Sequence, residues 1–176
     1  MFKPAKVGDA FGPTWSTHWF KIGIDIPKSF KGERVFLIFD CSSEALIWSV
    51  DGTPLQALVG GDINERHVDF KLSNESTGDE HFDFYIEMAC NGLFGAGAGG
   101  NGSIFPPIPD RKFPLVSAKI AVRNNAPYQL YRDFQVYLGL IKSLPANSQL
   151  GCDALYTANQ IVNVFRYDVP EYFLLY

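Results

Sequence analysis

The first two-thirds of the chain contains strand-like segments separated by turns, and in two of them apolar and polar positions alternate with a period of two. From Ser16 to Ile26 most apolar side chains occupy every second position, and Pro27 then ends the run. The segment from Phe82 to Cys90 shows the same alternation. This pattern is typical of β-strands that bury one face and expose the other. The sequence therefore predicts a half-buried strand in each segment.

Shorter strand-like runs fill much of the remaining sequence. Residues 34–39 are almost wholly apolar and rich in aromatic and branched side chains, as expected for a central strand buried on both faces. Asp51-Gly52 lies between two such runs and is typical of a two-residue hairpin turn with positive φ at both residues. The short strands predict a mainly β fold, an antiparallel β-sandwich of the jelly-roll or galactose-binding-like type. The predicted strands are 16–26, 34–39, 45–50, 53–58, 67–72, 82–90 and 115–123.

After Arg123 the period changes from two to 3.6, which is typical of amphipathic helices. Asn125 is a candidate N-cap, and Pro127 suits the first turn of a helix that ends near Ser143. A second helix is predicted to follow, with Ser148 as its candidate cap. The expected apolar stripes are Leu130, Phe134, Tyr137 or Leu138, Ile141 and Leu144 in the first helix, and Leu150, Ala154, Leu155, Ala158, Ile161, Val162 and Phe165 in the second.

This change of period divides the 176 residues into two parts. Residues 1–124 are predicted to form the β-sandwich domain, and residues 125–176 a helical hairpin with its tail. A chain of this length buries roughly 70% of its unfolded surface without disulfide staples. The tail after Phe165 is apolar and aromatic. An exposed apolar end predicts that residues 125–176 link the sandwich to a further domain of a larger protein.

Composition and charge exclude several classes of protein. Apolar residues make up 47% of the chain and aromatic residues 15%, which excludes a disordered chain. The net charge of −4 offers no positive surface to nucleic acid. The sequence lacks both an apolar run long enough for a membrane span and the apolar core of a signal peptide. The three cysteines, Cys41, Cys90 and Cys152, are an odd number and indicate reduced thiols in a cytoplasmic protein.

Two short motifs give weak signals for a cofactor or a metal ion. Residues 95–100 satisfy G-x-G-x-x-G, but dinucleotide binding needs a helix to begin inside that motif, and residues 101–107 do not fit one. His67 and Asp69 would lie on the same face of a strand, yet no third ligand follows at metal-site spacing. We therefore predict no catalytic residues, no metal site and no cofactor within this chain.

The three tryptophans allow two interpretations. Large aromatic side chains fill the interior of β-sandwiches, so the favoured prediction places Trp15, Trp19 and Trp48 in or beside the core. Flat indole rings also stack on sugar rings, which makes a sugar-stacking surface the alternative. On that alternative the chain would be a carbohydrate-binding module.

Three longer stretches together resemble one family. Residues 4–20, 87–97 and 155–165 are similar, in order and spacing, to the region that precedes the catalytic domain in cytosolic and vacuolar alpha-mannosidases of glycoside hydrolase family thirty-eight. The resemblance extends over residues 4–165, nearly the whole chain. It implies a β-sandwich followed by linking helices, in agreement with the change of period after Arg123.

The resemblance also implies an activity for the parent protein. Members of this family hydrolyse terminal alpha-linked mannose with retention, using an aspartate nucleophile and a divalent metal held by a His-x-His-x-Asp type motif. The motif is absent here, and His67-Val68-Asp69 echoes only part of it. The resemblance therefore implies a non-catalytic N-terminal segment, with the divalent metal in a catalytic domain that lies beyond it.

The resemblance further implies the partners of this segment. They are its own catalytic domain, further copies in a homo-oligomer, and mannose-containing oligosaccharides, since the cytosolic members trim free oligosaccharides. Asn91, Phe94 and Gly95 open a long segment rich in Gly and Pro, and we predict that this loop reaches another domain or the rim of the active-site cleft.

Overall fold

The computed structural model describes residues 2–61, 66–92, 108–145 and 147–164. Within these ranges the chain forms nine strands and two α-helices. They are β1 (Ala10–Phe11), β2 (Thr17–Asp25), β3 (Val35–Asp40), β4 (Glu44–Ser49), β5 (Pro54–Val59), β6 (Asp69–Ser73), β7 (His81–Ala89), β8 (Phe113–Pro114), β9 (Ser117–Val122), α1 (Asn125–Ser143) and α2 (Gln149–Val164). A short 3-10 turn, Lys28–Phe30, connects β2 to β3. The chain divides into two compact units, Met1–Val122 and Arg123–Tyr176.

The first unit is an antiparallel β-sandwich. One sheet has four strands in the order β2-β7-β4-β5, and the other has three in the order β6-β3-β9. The short strands β1 and β8 form a separate pair, and every pairing is antiparallel. The core between the sheets draws on both of them, with Phe39 from β3, Ile47 from β4 and Ile86 from β7 each almost fully buried. The predicted mainly β, antiparallel sandwich is therefore confirmed.

Strand β3 is the middle strand of the three-stranded sheet. Leu37 and Phe39 belong to the core cluster between the sheets. Phe36 and Asp40, which alternate with them and point to the other face, are buried as well. The prediction of a central strand buried on both faces is thus confirmed.

The connection between β4 and β5 differs from the predicted two-residue turn. Of Asp51 and Gly52, only Gly52 has a positive φ, at 87°. Gly52 donates its N–H to the Ser49 carbonyl at 3.0 Å, and the Thr53 N–H donates to the Asp51 carboxylate at 3.1 Å. The Asp51 side chain thus stabilises a wider loop in which it keeps a negative φ. The dipeptide marked the place of the turn, but its predicted geometry was wrong.

Helix α1 follows the predicted pattern with one correction at its start. Leu130, Phe134, Tyr137, Ile141 and Leu144 are partly buried, and the stripe includes Tyr137, whereas Leu138 is exposed. The predicted cap was wrong by one position. Asn125 is the first helical residue, and Asn124 is the N-cap, whose side chain makes no capping hydrogen bond.

Helix α2 begins directly after its predicted cap. The Ser148 hydroxyl accepts the N–H of Gly151 at 3.1 Å, which confirms this residue as the N-cap. The predicted stripe is only partly right, since Ala154 is buried whereas Leu150, Leu155 and Val162 are exposed. Phe165 lies outside the described residues. The side of α2 that is turned away from solvent carries Ala154 and Ala158. Their small side chains let α1 and α2 approach each other closely. Among the described residues, neither helix combines the length and hydropathy needed to span a bilayer.

Candidate functional site

Aromatic side chains gather on the solvent side of the four-stranded sheet. Trp19 in β2 pairs with Glu87 in β7, and Trp48 in β4 pairs with Tyr85 in β7. The Trp19 and Trp48 rings lie 6.1 Å apart between centroids, with 39° between their planes. Phe2 stacks on Tyr85 at a centroid distance of 6.1 Å. We call Phe2, Trp19, Trp48 and Tyr85 the aromatic face.

Two charged side chains belong to the same side of this sheet. The indole N–H of Trp48 donates to the Glu87 carboxylate, with Nε1 and Oε2 3.1 Å apart. The other oxygen of that carboxylate, Oε1, accepts no hydrogen bond from the residues that the structure describes. Lys21 pairs with Tyr85 and is exposed. The aromatic face therefore carries a hydrogen-bond acceptor and a donor beside its ring surfaces.

The predicted core position of the tryptophans is wrong for two of the three. The side chains of Trp15 and Trp19 are 62% and 45% exposed, and Trp48 is partly buried. Trp15 lies in the loop before β2 and has a positive φ of 68°. Its backbone N–H donates to the Cys90 carbonyl at 2.8 Å. The structure thus brings Trp19 and Trp48 together, and no ring contact joins Trp15 to either of them in the described part of the chain. The sugar-stacking role stays a prediction.

A cleft of about 510 Å³ lies beside β2, an edge strand of the four-stranded sheet. Its walls combine side chains from the solvent face, Trp19 and Lys21, with apolar groups that reach towards the core, such as Phe39. The segment from Phe2 to Ala5 also lines it. Small-molecule sites typically enclose roughly 300–1,000 Å³, so the cleft has room for a small ligand next to the aromatic face.

Only Asn91 of the predicted loop residues is placed. Its side-chain amide donates to the Glu44 carboxylate at 3.0 Å, while its carbonyl oxygen Oδ1 is buried and has no hydrogen-bond partner among the described residues. Phe94, Gly95 and the whole G-x-G-x-x-G stretch lie outside the described residues. The interdomain or cleft-rim role of this loop stays a prediction.

Sequence reasoning missed a buried ion pair at the end of β3. Asp40 is 3% exposed, and its Oδ2 accepts hydrogen bonds from Arg66, from Nε at 3.1 Å and Nη2 at 2.9 Å. Its Oδ1 accepts the backbone N–H groups of Ser42 at 2.9 Å and Gly61 at 3.1 Å. The charge is compensated by these bonds, and it holds the end of the β5–β6 connection against β3. No local sequence pattern predicts this pair, because 26 positions separate the two residues.

Two titratable groups at the start of β7, Glu80 and His81, have shifted pKa values. Desolvation alone would raise the pKa of Glu80, but hydrogen bonds from the Ser76 hydroxyl and from backbone amides of the same turn lower that pKa to about 2. His81 lies 2.7 Å from Asp25 and 3.1 Å from Asp83, and these carboxylates raise the pKa of the imidazole. Glu80 is partly buried and His81 is exposed, and both lie where β7 begins, at the other end of that strand from Glu87.

The described residues do not fit a metal centre. His67 Nε2 and Asp69 Oδ1 are 3.6 Å apart, and no group of three or more potential ligands occurs in the described ranges. The three cysteines are free. Cys41 and Cys90 are buried, and desolvation raises the pKa of both thiols.

Comparison with known proteins places this sandwich in a family. The family model described as "Alpha-mannosidase, jelly roll domain" matches residues 1–121, so the chain belongs to the alpha-mannosidase jelly-roll domain family. The match ends one residue before the end of the first compact unit. The jelly-roll fold and the resemblance to alpha-mannosidases are both confirmed.

Three relatives extend the similarity into the helices. The chain is 40% identical over 162 residues to Alpha-mannosidase G of Dictyostelium discoideum, 39% over 173 residues to Alpha-mannosidase 2C1 of Homo sapiens, and 35% over 167 residues to Alpha-mannosidase of Saccharomyces cerevisiae. These alignments cover 92%, 98% and 93% of the chain but only 15%, 16% and 15% of the relatives. The chain therefore spans about one-sixth of the length of the enzymes it matches.

Proposed function

We propose that the chain is the N-terminal accessory domain of an alpha-mannosidase that hydrolyses terminal alpha-linked mannose from free oligosaccharides, and that it is itself non-catalytic. The observation that carries this proposal is the match of the jelly-roll family model to residues 1–121 of the chain. It is joined by the similarity of the whole chain to about one-sixth of much longer alpha-mannosidases. Asp40, the one buried carboxylate among the described residues, is engaged in an ion pair with Arg66, which supports a structural role.

The helical unit supplies a surface for packing against the catalytic domain. Large apolar side chains on both helices are exposed, where a self-contained domain buries most of them. Covering them by the catalytic domain, or by a second copy in a homo-oligomer, would remove this surface from water. The exposed side chains are Tyr131, Val136, Leu138 and Leu140 of α1, and Leu150, Leu155, Tyr156, Val162 and Val164 of α2.

The loop that follows β7 is a second element for contact with the catalytic domain or the rim of its cleft. Asn91 is fixed to Glu44 at the base of this loop, with its Oδ1 turned away from solvent. We assign Phe94 and Gly95 to the same contact because they lie three and four positions after Asn91 in the sequence. The divalent metal belongs to the catalytic domain in this proposal, since the described residues of the chain do not fit a ligand set. Three free cysteines support a cytoplasmic location.

An activity assay tests the non-catalytic assignment. The purified chain is incubated with an aryl alpha-mannoside, with and without added Zn²⁺ or Co²⁺, and release of the phenol is followed. We expect no turnover above the buffer blank in either condition. Turnover that depends on the added metal would overturn the assignment.

A further inference from the structure

We propose that the aromatic face binds a hexopyranose ring, so that the jelly-roll domain carries a glycan-binding site of its own. The site consists of the Trp19 and Trp48 rings, with Glu87 and Lys21 as its polar groups. This goes beyond an accessory role, because a packing domain needs no ligand.

The ring surfaces are suited to the apolar face of a sugar. One face of a pyranose presents C–H groups, and these pack favourably on the electron-rich face of an indole. Trp19 is 45% exposed, so much of its ring surface is open to a ligand. The 39° angle between the Trp19 and Trp48 planes leaves two differently inclined surfaces within 6.1 Å. A ring can rest on one indole while a neighbouring residue of the glycan contacts the other.

Polar groups lie where hydroxyl groups at the edge of the ring would meet them. A sugar hydroxyl both donates and accepts, so it pairs with a carboxylate oxygen and with an ammonium group. Glu87 uses Oε2 for the Trp48 indole and keeps Oε1 without a partner among the described residues. Lys21 is two positions from Trp19 on the same side of β2.

The site is partly organised before a ligand arrives. The hydrogen bond from Trp48 to Glu87 fixes the indole and the carboxylate relative to each other. β2 and β7 pair without a bulge from Thr17 to Asp25, so the positions of Trp19 and Lys21 follow from a regular register. A site fixed in this way loses less conformational entropy on binding than one on a flexible loop. The adjacent cleft of about 510 Å³ gives room for a second sugar unit.

The choice of sugar rests on the proposed function, since alpha-mannosidases act on alpha-mannosides. Binding to the chain by itself is measured without the catalytic domain. A failure of this inference therefore leaves the accessory role intact, and a failure of the accessory role leaves a measured sugar affinity in place.

Isothermal titration calorimetry and NMR titration of the 176-residue chain with methyl α-D-mannopyranoside and an α-linked mannobiose test the proposal. For an open site we expect saturable binding with a dissociation constant on the order of 1 mM, tighter for the disaccharide. W19A should weaken binding by roughly tenfold. E87Q retains an oxygen for the Trp48 N–H but loses the charge, and it should weaken binding by a smaller factor.

Matched controls separate a sugar site from a merely apolar surface. W15A removes an exposed tryptophan outside the aromatic face and should leave the affinity unchanged. trans-1,2-Cyclohexanediol, a six-membered ring with few hydroxyl groups, should show no saturable binding. Circular dichroism melts identify any variant that fails to fold, and E87Q then serves in place of W19A. The absence of saturable binding to the wild-type chain, equal losses for W15A and W19A, or equal binding of the diol would each overturn the proposal.

Discussion

Arg66 donates two hydrogen bonds to a single carboxylate oxygen of Asp40, at 3.1 Å from Nε and 2.9 Å from Nη2. The Asp40 side chain is 4% exposed and that of Arg66 44% exposed, so Arg66→Ala would leave a buried charge without its counter-ion. We expect the free energy of unfolding to fall by about 2 kcal/mol, measured by urea denaturation. Arg34→Ala, at an exposed arginine without a salt bridge among the described residues, should change it by less than about 0.5 kcal/mol. Equal effects of the two substitutions would contradict the stabilising role of the pair.

Gly60 lies against the same carboxylate. A Cβ atom at this position would come within 2.5 Å of Asp40 Oδ1 and 2.8 Å of the Ser42 backbone N. Gly60→Ala should therefore displace the β5–β6 connection and lower the free energy of unfolding by about 2 kcal/mol. Gly23→Ala is the matched control, because its nearest contact would be Asp83 Oδ1 at 3.4 Å. If the melting temperatures of both variants equal that of the wild type, the close packing around Asp40 is disproved.

The turn before β7 should make the free energy of unfolding depend on pH in the acidic range. Desolvation opposes ionisation of Glu80, but the hydrogen bonds that it accepts lower its pKa from 4.5 to about 2. Because the folded-state pKa is depressed, the stabilisation is complete above pH 4.5 and is lost as the pH falls towards 2. Glu80→Gln should lower stability at neutral pH and flatten this part of the pH profile, followed by urea denaturation. Glu75→Gln removes an equal charge from the same region and should leave the slope unchanged.

The imidazole of His81, at the start of β7, should give stability a pH dependence of the opposite sign. Hydrogen bonds to Asp25 and then to Asp83 raise the pKa of His81 above its ordinary value of 6.5. The stabilisation is therefore present below pH 6.5 and is lost as the pH rises through the raised folded-state pKa. In an NMR titration of the His81 ring, Asp25→Asn should move its pKa downwards. Asp51→Asn, in the β4–β5 connection, should not move it. An unshifted titration in Asp25→Asn would refute the pairing.

Strand positions could be predicted from the sequence because period-two alternation is a local property. The alternation also places Trp19 on the same side of β2 as Lys21 and Asp25, and this phase was a better guide to its exposure than the size of its side chain. Asp51-Gly52 marked a turn, but the hydrogen bonds of the Asp51 carboxylate decided its geometry. Local pattern thus determines where strands lie, while specific side-chain bonds determine how they connect.

The polar contacts between side chains that are distant in the sequence could not be predicted in the same way. The Asp40–Arg66 pair and the Trp48–Glu87 bond join residues that are 26 and 39 positions apart, so they exist only once the strands have paired. Sugar stacking was an alternative on residue type alone, whereas the proximity of Trp19 and Trp48 required the strand order β2-β7-β4. Resemblance to a family identified the domain but assigned no role to these residues.

The central claim, that this chain is an accessory domain of an alpha-mannosidase, is tested most directly by complementation. The 176-residue chain and a second polypeptide, the catalytic domain of the parent enzyme proposed above, are produced separately and mixed. Complex formation is followed by analytical ultracentrifugation together with hydrolysis of an aryl alpha-mannoside. We predict a stable complex, with activity or thermal stability of the second polypeptide increased by the chain, and a weaker complex when Leu155 and Val162 of α2 are changed to serine. Two polypeptides that sediment independently, with mannosidase activity and stability unaffected by the chain, would contradict the claim.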